Sequence, residues 1–291
     1  MRNMAVFFCM CAVFLSAGCT IRPIQHDTEF YGLLIGINDY IDDNVADLKY
    51  CEADASSMKD SLLQNGWDEA DLTMLLGSGA TKAAIISGLT SMVALAGERD
   101  YILVYFSGHG ITIADTNGDE ADGTDEALVP VDYVSGNDLT LITDDELNEI
   151  FSFCKTAKGA FIVDSCYSGG LVNKSLSATG VRVKHIEGVH SKGSGGGGDL
   201  TITSLPVMTA SSQNEESVEL DSLGHGLFTY FLIEGLDTFM ADKNNDEFIT
   251  VRELFEYAEI QTEYYSEYYL TYPQHPVMRC PLDFIDILIT R

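Results

Sequence analysis

The sequence predicts an α/β fold in which a mostly parallel sheet carries helices on both faces. Three apolar runs, at residues 30–37, 101–106 and 160–163, have strand length and no polar alternation, which fits strands buried on both sides. Stretches with apolar residues at helical spacing separate them, and strand alternating with helix is the pattern of a parallel sheet. The 291 residues suffice for one large domain with a single core.

In chain order, the run at 30–37 reads as a central strand that ends in the loop Asn38, Asp39, Tyr40. Leu48, Cys51, Ala55, Met58 and Leu62 then recur at helical spacing over 46–64, and Asn65 with Gly66 stops the helix. This places Asp54 early on the first helix. Residues 72–76 read as a second strand and 81–95 as a second helix. After the strand at 101–106 come a polar loop over 114–132 and then Thr143, Asp144, Asp145 and Glu146, a capping box that opens a helix over 147–153. Strands at 160–164, 206–212 and 282–289, an acidic loop at 213–222, and helices at 226–240 and 251–265 complete six strands. Residues 174–204 have weak periodicity and hold four consecutive glycines from Gly195, the composition of a flexible linker. The linker divides the body, residues 30–291, into a large segment (30–173) and a small segment (205–291), behind a tether at 20–29.

Two of the strands end in chemistry. The run at 101–106 stops in Ser107, Gly108, His109, Gly110, and the run at 160–164 stops in Ser165, Cys166, Tyr167, Ser168, Gly169. Taken singly, either residue would read as a small core thiol or a satisfied turn imidazole. Strand ends are where open α/β sheets place their sites, and neighbouring strands lie roughly 5 Å apart. Together the pair supplies a nucleophile, Cys166, and a general acid/base, His109.

On these motifs, with His109 standing 57 positions before Cys166, the chain over about residues 30–290 resembles the caspase-like cysteine peptidases (caspases, metacaspases and clostripain), nearest the bacterial metacaspase-like branch. The resemblance implies a caspase-like fold and peptide hydrolysis by the His109/Cys166 dyad. It also implies an oxyanion site made by the backbone N–H groups of Gly110 and Cys166. A caspase proper carries Gln two residues before the nucleophile, whereas this chain has Asp164. In metacaspase-like relatives the first specificity pocket uses a carboxylate there and another on the first helix, positions held here by Asp164 and Asp54. Two partly desolvated carboxylates select Arg or Lys in a protein or peptide substrate.

Two acidic loops have the oxygen content that calcium takes. The first spans 115–126 and is joined by Asp144 and Asp145; the resemblance implies a calcium site on such carboxylates, Asp125 among them, with Asn173 where metacaspases have Asp. The second fits an EF-hand loop through Asp242, Asn244, Asp246 and Glu253, with Glu247 where Gly is usual. Its alternative reading is an acidic turn closed by a Thr250/Glu253 capping box.

The first residues give an address. Arg2 precedes an apolar stretch over 5–15 and then Ser16, Ala17, Gly18, Cys19, a secretory signal of residues 1–19 too short to span as a stable helix. Cys19 after small residues resembles a bacterial lipobox, so it is expected to carry lipid and to anchor an exported lipoprotein to a membrane of the bacterial cell envelope; ordinary signal cleavage is the alternative. The formal charge is −29, which repels nucleic acid and favours basic peptides. Of the seven cysteines, Cys51, Cys154, Cys166 and Cys280 lie in the body without zinc or disulfide spacing, and Cys166 must stay a free thiol. Lys174, Arg182, Lys184 and Lys192 are four of the sixteen basic residues and all fall in the linker. An enzyme with an acidic first pocket is therefore expected to cut itself after Arg182, Lys184 or Lys192, in a loop that covers the cleft until cut. The rival reading from another class is a catalytically idle caspase-like interaction module anchored at the membrane.

Overall fold

Strand β1 (Phe30–Gly36) is buried except at half-buried Tyr31, because its apolar residues face helices on both sides of the sheet. In the computed structural model the described residues are 28–118, 123–166, 180–184, 202, 204–212, 215–270, 272–280 and 288–290. After β1 the chain forms α1 (Cys51–Gln64), β2 (Leu72–Leu76), α2 (Lys82–Leu95) and β3 (Tyr101–Ser107). Three short antiparallel strands follow, β4 (Gly110–Ala114), β5 (Thr124–Leu128) and β6 (Ile142–Thr143). Then come α3 (Asp144–Phe151), β7 (Gly159–Asp164), β8 (Val181–Val183), β9 (Val207–Thr209), β10 (Val218–Leu220) and β11 (His225–Gly226). Helices α4 (Leu227–Asp237) and α5 (Val251–Tyr265) lead to the last strand, β12 (Val277–Arg279).

The main sheet has six strands in the order β12-β9-β7-β3-β1-β2, parallel except for β12, which runs antiparallel to β9. The pleat of β1 splits its side chains between two cores: Leu33 and Ile35 pack with α2 and α3, whereas Phe30 and Leu34 pack with α1, α4 and α5. The expected class, an α/β sheet covered on both faces, is what forms.

Local chemistry sets the helix starts. Thr81 caps α2 by accepting from Ala84 N–H, and α3 and α5 open with the reciprocal capping boxes Thr143/Glu146 and Thr250/Glu253. Helix α1 starts at Cys51 rather than at 46, and its N-cap residue Tyr50 makes no side-chain cap. Glu219 of β10 caps it from across the fold, accepting from Lys49 N–H (3.0 Å) and Tyr50 N–H (2.7 Å). Gly36 lets α1 approach this closely, since a Cβ there would stand 2.9 Å from Glu52 Cα.

Four sequence expectations change. The polar loop over 114–132 contains β5, whose five residues are all buried because it pairs with both β4 and β6. The linker over 174–204 contains β8, and the acidic loop over 213–222 contains β10; the two pair antiparallel and with β11 form a small sheet. Neither had a periodic run to announce it, because each gains its backbone partners from a strand distant in sequence. The sixth strand of the sheet is β12, ahead of the expected 282–289, of which 282–287 lie outside the described residues; Leu288 makes an isolated bridge to Thr250.

Candidate active site

Strand register brings the two predicted chemical residues level. β3 and β7 pair in parallel with Ser107 opposite Asp164, so His109 and Cys166 each stand two residues past that pair on adjacent strands. Gly108 N–H reaches back to the Asp164 carbonyl at 3.4 Å. Both side chains lie at the C-terminal edge of the parallel strands, where such sheets bind ligands.

His109 is fully buried and held on two sides: its backbone N–H donates to Tyr40 Oη at 2.8 Å, and Nε2 lies 2.6 Å from the Ala46 carbonyl. A carbonyl oxygen only accepts, so Nε2 carries the proton and Nδ1 is the basic nitrogen. Gly108 makes room for this arrangement, since a Cβ there would lie 3.0 Å from Tyr40 Oη. Gly110 follows His109 as the first residue of β4.

Cys166 is also fully buried. Its Sγ accepts from Ser217 N–H at 2.6 Å and lies 3.3 Å from the Ser217 carbonyl, and its backbone N–H donates to the Lys184 carbonyl at 3.2 Å. Burial pushes the thiol pKa well up, with the nearby carboxylates of Glu216 and Asp164 adding to it and the Ser217 hydrogen bond opposing it. In this arrangement Cys166 is a neutral thiol.

Beside Cys166, Asp54 and Asp164 face one buried cation. Lys184 Nζ lies 3.1 Å from Asp54 Oδ2, 3.0 Å from Asp164 Oδ1 and 2.9 Å from Ser107 Oγ, with the three charged side chains at 0% exposure. The remaining carboxylate oxygens are used as well. Asp164 accepts from Ser217 Oγ and Thr229 Oγ1, both at 2.6 Å. Asp54 accepts from Ser107 Oγ (2.8 Å) and Gly226 N–H (3.0 Å), and His225 Nδ1 stands 2.9 Å away. Burial opposes the Asp54 charge, but Lys184 and His225 outweigh it and hold the carboxyl below its ordinary range. Burial likewise opposes the Lys184 charge, and Asp164 leads the neighbours that hold it well above its ordinary value.

Of the residues the sequence singled out, Asp54 and Asp164 meet at Lys184, whose carbonyl accepts from Cys166 N–H, and His109 stands past the end of the neighbouring strand. The sequence reading assigned no site role to Ser107, Ser217, His225, Gly226 or Thr229. Ser107 lies in the same motif as His109; Ser217 comes from the expected acidic loop, Gly226 and Thr229 from the expected helix and His225 from between them, and the pairing of β10 with β8 and β11, together with the start of α4, brings them to the pocket.

Arg182 lies in β8, which Lys184 directly follows, and pairs with Asp221. Lys192 and Cys19, with Asn173, lie outside the described residues. Asp125 is buried in β5 and Asp144 is buried at the start of α3, where Asp145 Oδ2 accepts from Asn117 Nδ2 at 2.7 Å. In the second acidic loop Glu247 has a φ of +70°, in the left-handed region where an EF-hand places Gly. Asp242 and Asn244 accept from Asp246 N–H, and Asp246 accepts from Phe248 N–H. Glu253 closes its capping box onto Thr250. Among the described residues, one set of three potential ligand side chains has its atoms within 4.8 Å of one another: Cys51, Asp54 and Glu219. That set already borders the Lys184 ammonium.

A family model described as the metacaspase, peptidase C14 domain matches residues 31–175, which include His109, Cys166, Asp54 and Asp164. The chain belongs to the caspase-like cysteine peptidases. It is 34% identical to Metacaspase-6 of Arabidopsis thaliana over 52% of this chain and 41% of that protein. It is also 34% identical to Metacaspase III c of Phaeodactylum tricornutum over 48% and 43%, and 35% identical to Metacaspase-1 of Ajellomyces capsulatus over 48% and 41%. The chain thus spans about two fifths of the length of these relatives. The crystal structure of protein GSU0716 from Geobacter sulfurreducens shares the fold, with a TM-score of 0.58 at 21% identity over 86% of this chain and 92% of that one. In this caspase-like chain the small segment, outside the matched stretch, contributes Ser217, His225, Gly226 and Thr229 to the pocket.

Proposed function

We propose that the protein is a cysteine endopeptidase that cuts after Lys or Arg and that its first substrate is its own Lys184–His185 bond. One observation carries this reading: Lys184 lies in the site as a substrate residue would. Its ammonium fills the pocket of Asp54 and Asp164, its N–H donates to the Ser217 carbonyl at 3.1 Å, and its carbonyl accepts from Cys166 N–H. That last contact is the one an oxyanion donor makes.

The residues then have separable tasks. His109 Nδ1 takes the thiol proton, and the Cys166 sulfur attacks the Lys184 carbonyl carbon. The bond to the His185 nitrogen breaks as His109 returns the proton to that amine, leaving a thioester on Cys166. Water, deprotonated by His109, hydrolyses the thioester and restores the thiol. The two pocket carboxylates admit Lys or Arg and reject Asp, because a neutral or acidic side chain would leave them buried and unpaired. Calcium held by the acidic loops, export, and lipid attachment at Cys19 belong to the same proposal and rest on the sequence alone; Asp125, Asp144 and Asp145 offer the hard oxygen donors calcium takes.

Full-length wild type and Cys166→Ala, each incubated with calcium, test the reading. Wild type is expected to give two fragments, the second starting at His185 by N-terminal sequencing, while the variant stays whole. The same bands from both proteins would refute self-cutting, and peptides cut after Asp but not after Lys or Arg would refute the pocket.

A further inference from the structure

Strand β8 extends the substrate-like contacts beyond Lys184. It pairs antiparallel with β10, Val183 opposite Val218, Arg182 opposite Glu219 and Val181 opposite Leu220. Period-two alternation sends Val181 and Val183 to one side, where both join the apolar core with Val218 and Leu220. Arg182 and Lys184 point to the other side. Lys184 enters the pocket already described, and Arg182 Nη1 lies 2.6 Å from Asp221 Oδ1.

Asp221 is built to receive that charge. Its carboxylate also accepts from Tyr50 Oη at 2.8 Å and Lys49 Nζ at 3.0 Å, and its N–H donates to the Gly180 carbonyl at 2.9 Å. Tyr50 and Lys49 immediately precede α1, whose start Glu219 fixes. The carboxylate is therefore oriented by groups that stay in place when a substrate leaves. At 40% side-chain exposure its pull is that of a surface ion pair, a modest increment beside the buried pocket.

We infer that Asp221 is a second specificity residue, which reads the side chain two positions before the residue at the cut and favours a basic one there. Resting on the reading of β8 as bound substrate, this makes the preferred target a segment with two basic residues separated by one apolar residue, entering as an added strand on β10.

The test uses full-length protein after self-cutting and three fluorogenic peptides: Val-Arg-Val-Lys, Val-Gln-Val-Lys and Val-Glu-Val-Lys. Wild type should prefer Arg over Gln about three- to fivefold in kcat/KM, with Glu poorest. Asp221→Asn should lose the Arg preference, and Asp221→Lys should favour Glu. Equal rates for Arg and Gln in wild type, with all three peptides still cut after Lys, would overturn the role of Asp221 and leave the Lys pocket standing. Protein that cuts neither itself nor any peptide ending in Lys would overturn the underlying reading and this one with it. A folded Asp221→Lys that keeps the wild-type order would overturn it as well.

Discussion

Lys184 Nζ stands 3.0 Å from Asp164 Oδ1 with both side chains wholly buried, so the linker's base and the nucleophile strand's acid share one dry pocket. Each charge is costly to desolvate, and the pair persists because Asp54, Ser107, Ser217 and Thr229 complete its hydrogen bonds. Removing the cation alone leaves two buried carboxylates facing each other. Lys184→Met in the Cys166→Ala background should therefore lose about 3 kcal/mol of stability, read from the shift in denaturant midpoint. An unchanged midpoint would mean that Lys184 does not occupy the pocket in solution.

The same pair sets a pH window. Asp54 is held below its ordinary range, so its contribution is present above the unfolded carboxylate value, about 4, and is lost as pH falls through the lower folded value. Lys184 is held above its ordinary value, so its contribution is present below about 10 and lost as pH rises through the higher folded value. Protection factors for the Val183 and Lys184 amides in Cys166→Ala, taken against the intrinsic exchange rate at each pH, should stay high from about pH 5 to 10 and fall on either side. Protection factors near one at neutral pH would count against a docked strand.

Cys166 gives an independent readout. Burial raises its pKa, and thiolate is the reactive form. Iodoacetamide should therefore label Cys166 slowly in uncut protein and much faster in Lys184→Met, where β8 has lost its anchor; peptide mapping separates it from Cys51, Cys154 and Cys280. Equal labelling in the two proteins would show that the strand does not shield the thiol.

The parts of this site legible in the sequence are those written locally. The runs at 101–106 and 160–164 announced β3 and β7, and both ended in side chains that ordinary chemistry marks as reactive. β8 and β10 were not legible, because three-residue strands carry no period of their own and acquire hydrogen bonds only by meeting each other. For the same reason Ser217 could not be found: it acts through the Cys166 sulfur and the Lys184 N–H, 51 and 33 residues away in sequence. Lys184 was one of three candidate cutting sites, and it stands apart from Arg182 only when the pocket is seen in three dimensions. The helix starts divide the same way: Thr143/Glu146 is a local signal, whereas the cap that Glu219 gives α1 comes from a residue about 170 positions later.

Calcium binding at the first acidic loop predicts a rise in melting temperature with calcium and none with an equal concentration of magnesium, which dehydrates more reluctantly. Asp125→Asn should remove that rise. Asp144→Asn should remove it too and also lower the metal-free baseline, because Asp144 occupies the first turn of α3 and favours its N-terminal dipole. A calcium-induced rise that survives both substitutions would place the ion elsewhere.

Gly226 offers the sharpest test of the pocket's shape. It is the N-cap of α4, with φ −61° and ψ 141°, so its backbone suits any residue. The space does not: a Cβ there would press into Asp164 Oδ2 and stand 2.6 Å from Lys184 Nζ. Asp164 has little room to retreat, being fixed by Thr229 and Ser217. Gly226→Ala should thus narrow the basic pocket and reduce kcat/KM for peptides ending in Lys by at least about tenfold, mainly by raising KM, since bound substrate and transition state both need the ammonium seated. Some stability would also go, because Ala is a poorer N-cap than Gly. Gly226→Ser separates the two causes: it adds the same Cβ but supplies a good cap. If the pocket is decisive, the Ser variant regains stability and not cleavage. Recovery of cleavage in Gly226→Ser would show that capping of α4, and not the fit around Asp164 and Lys184, is what the glycine provides.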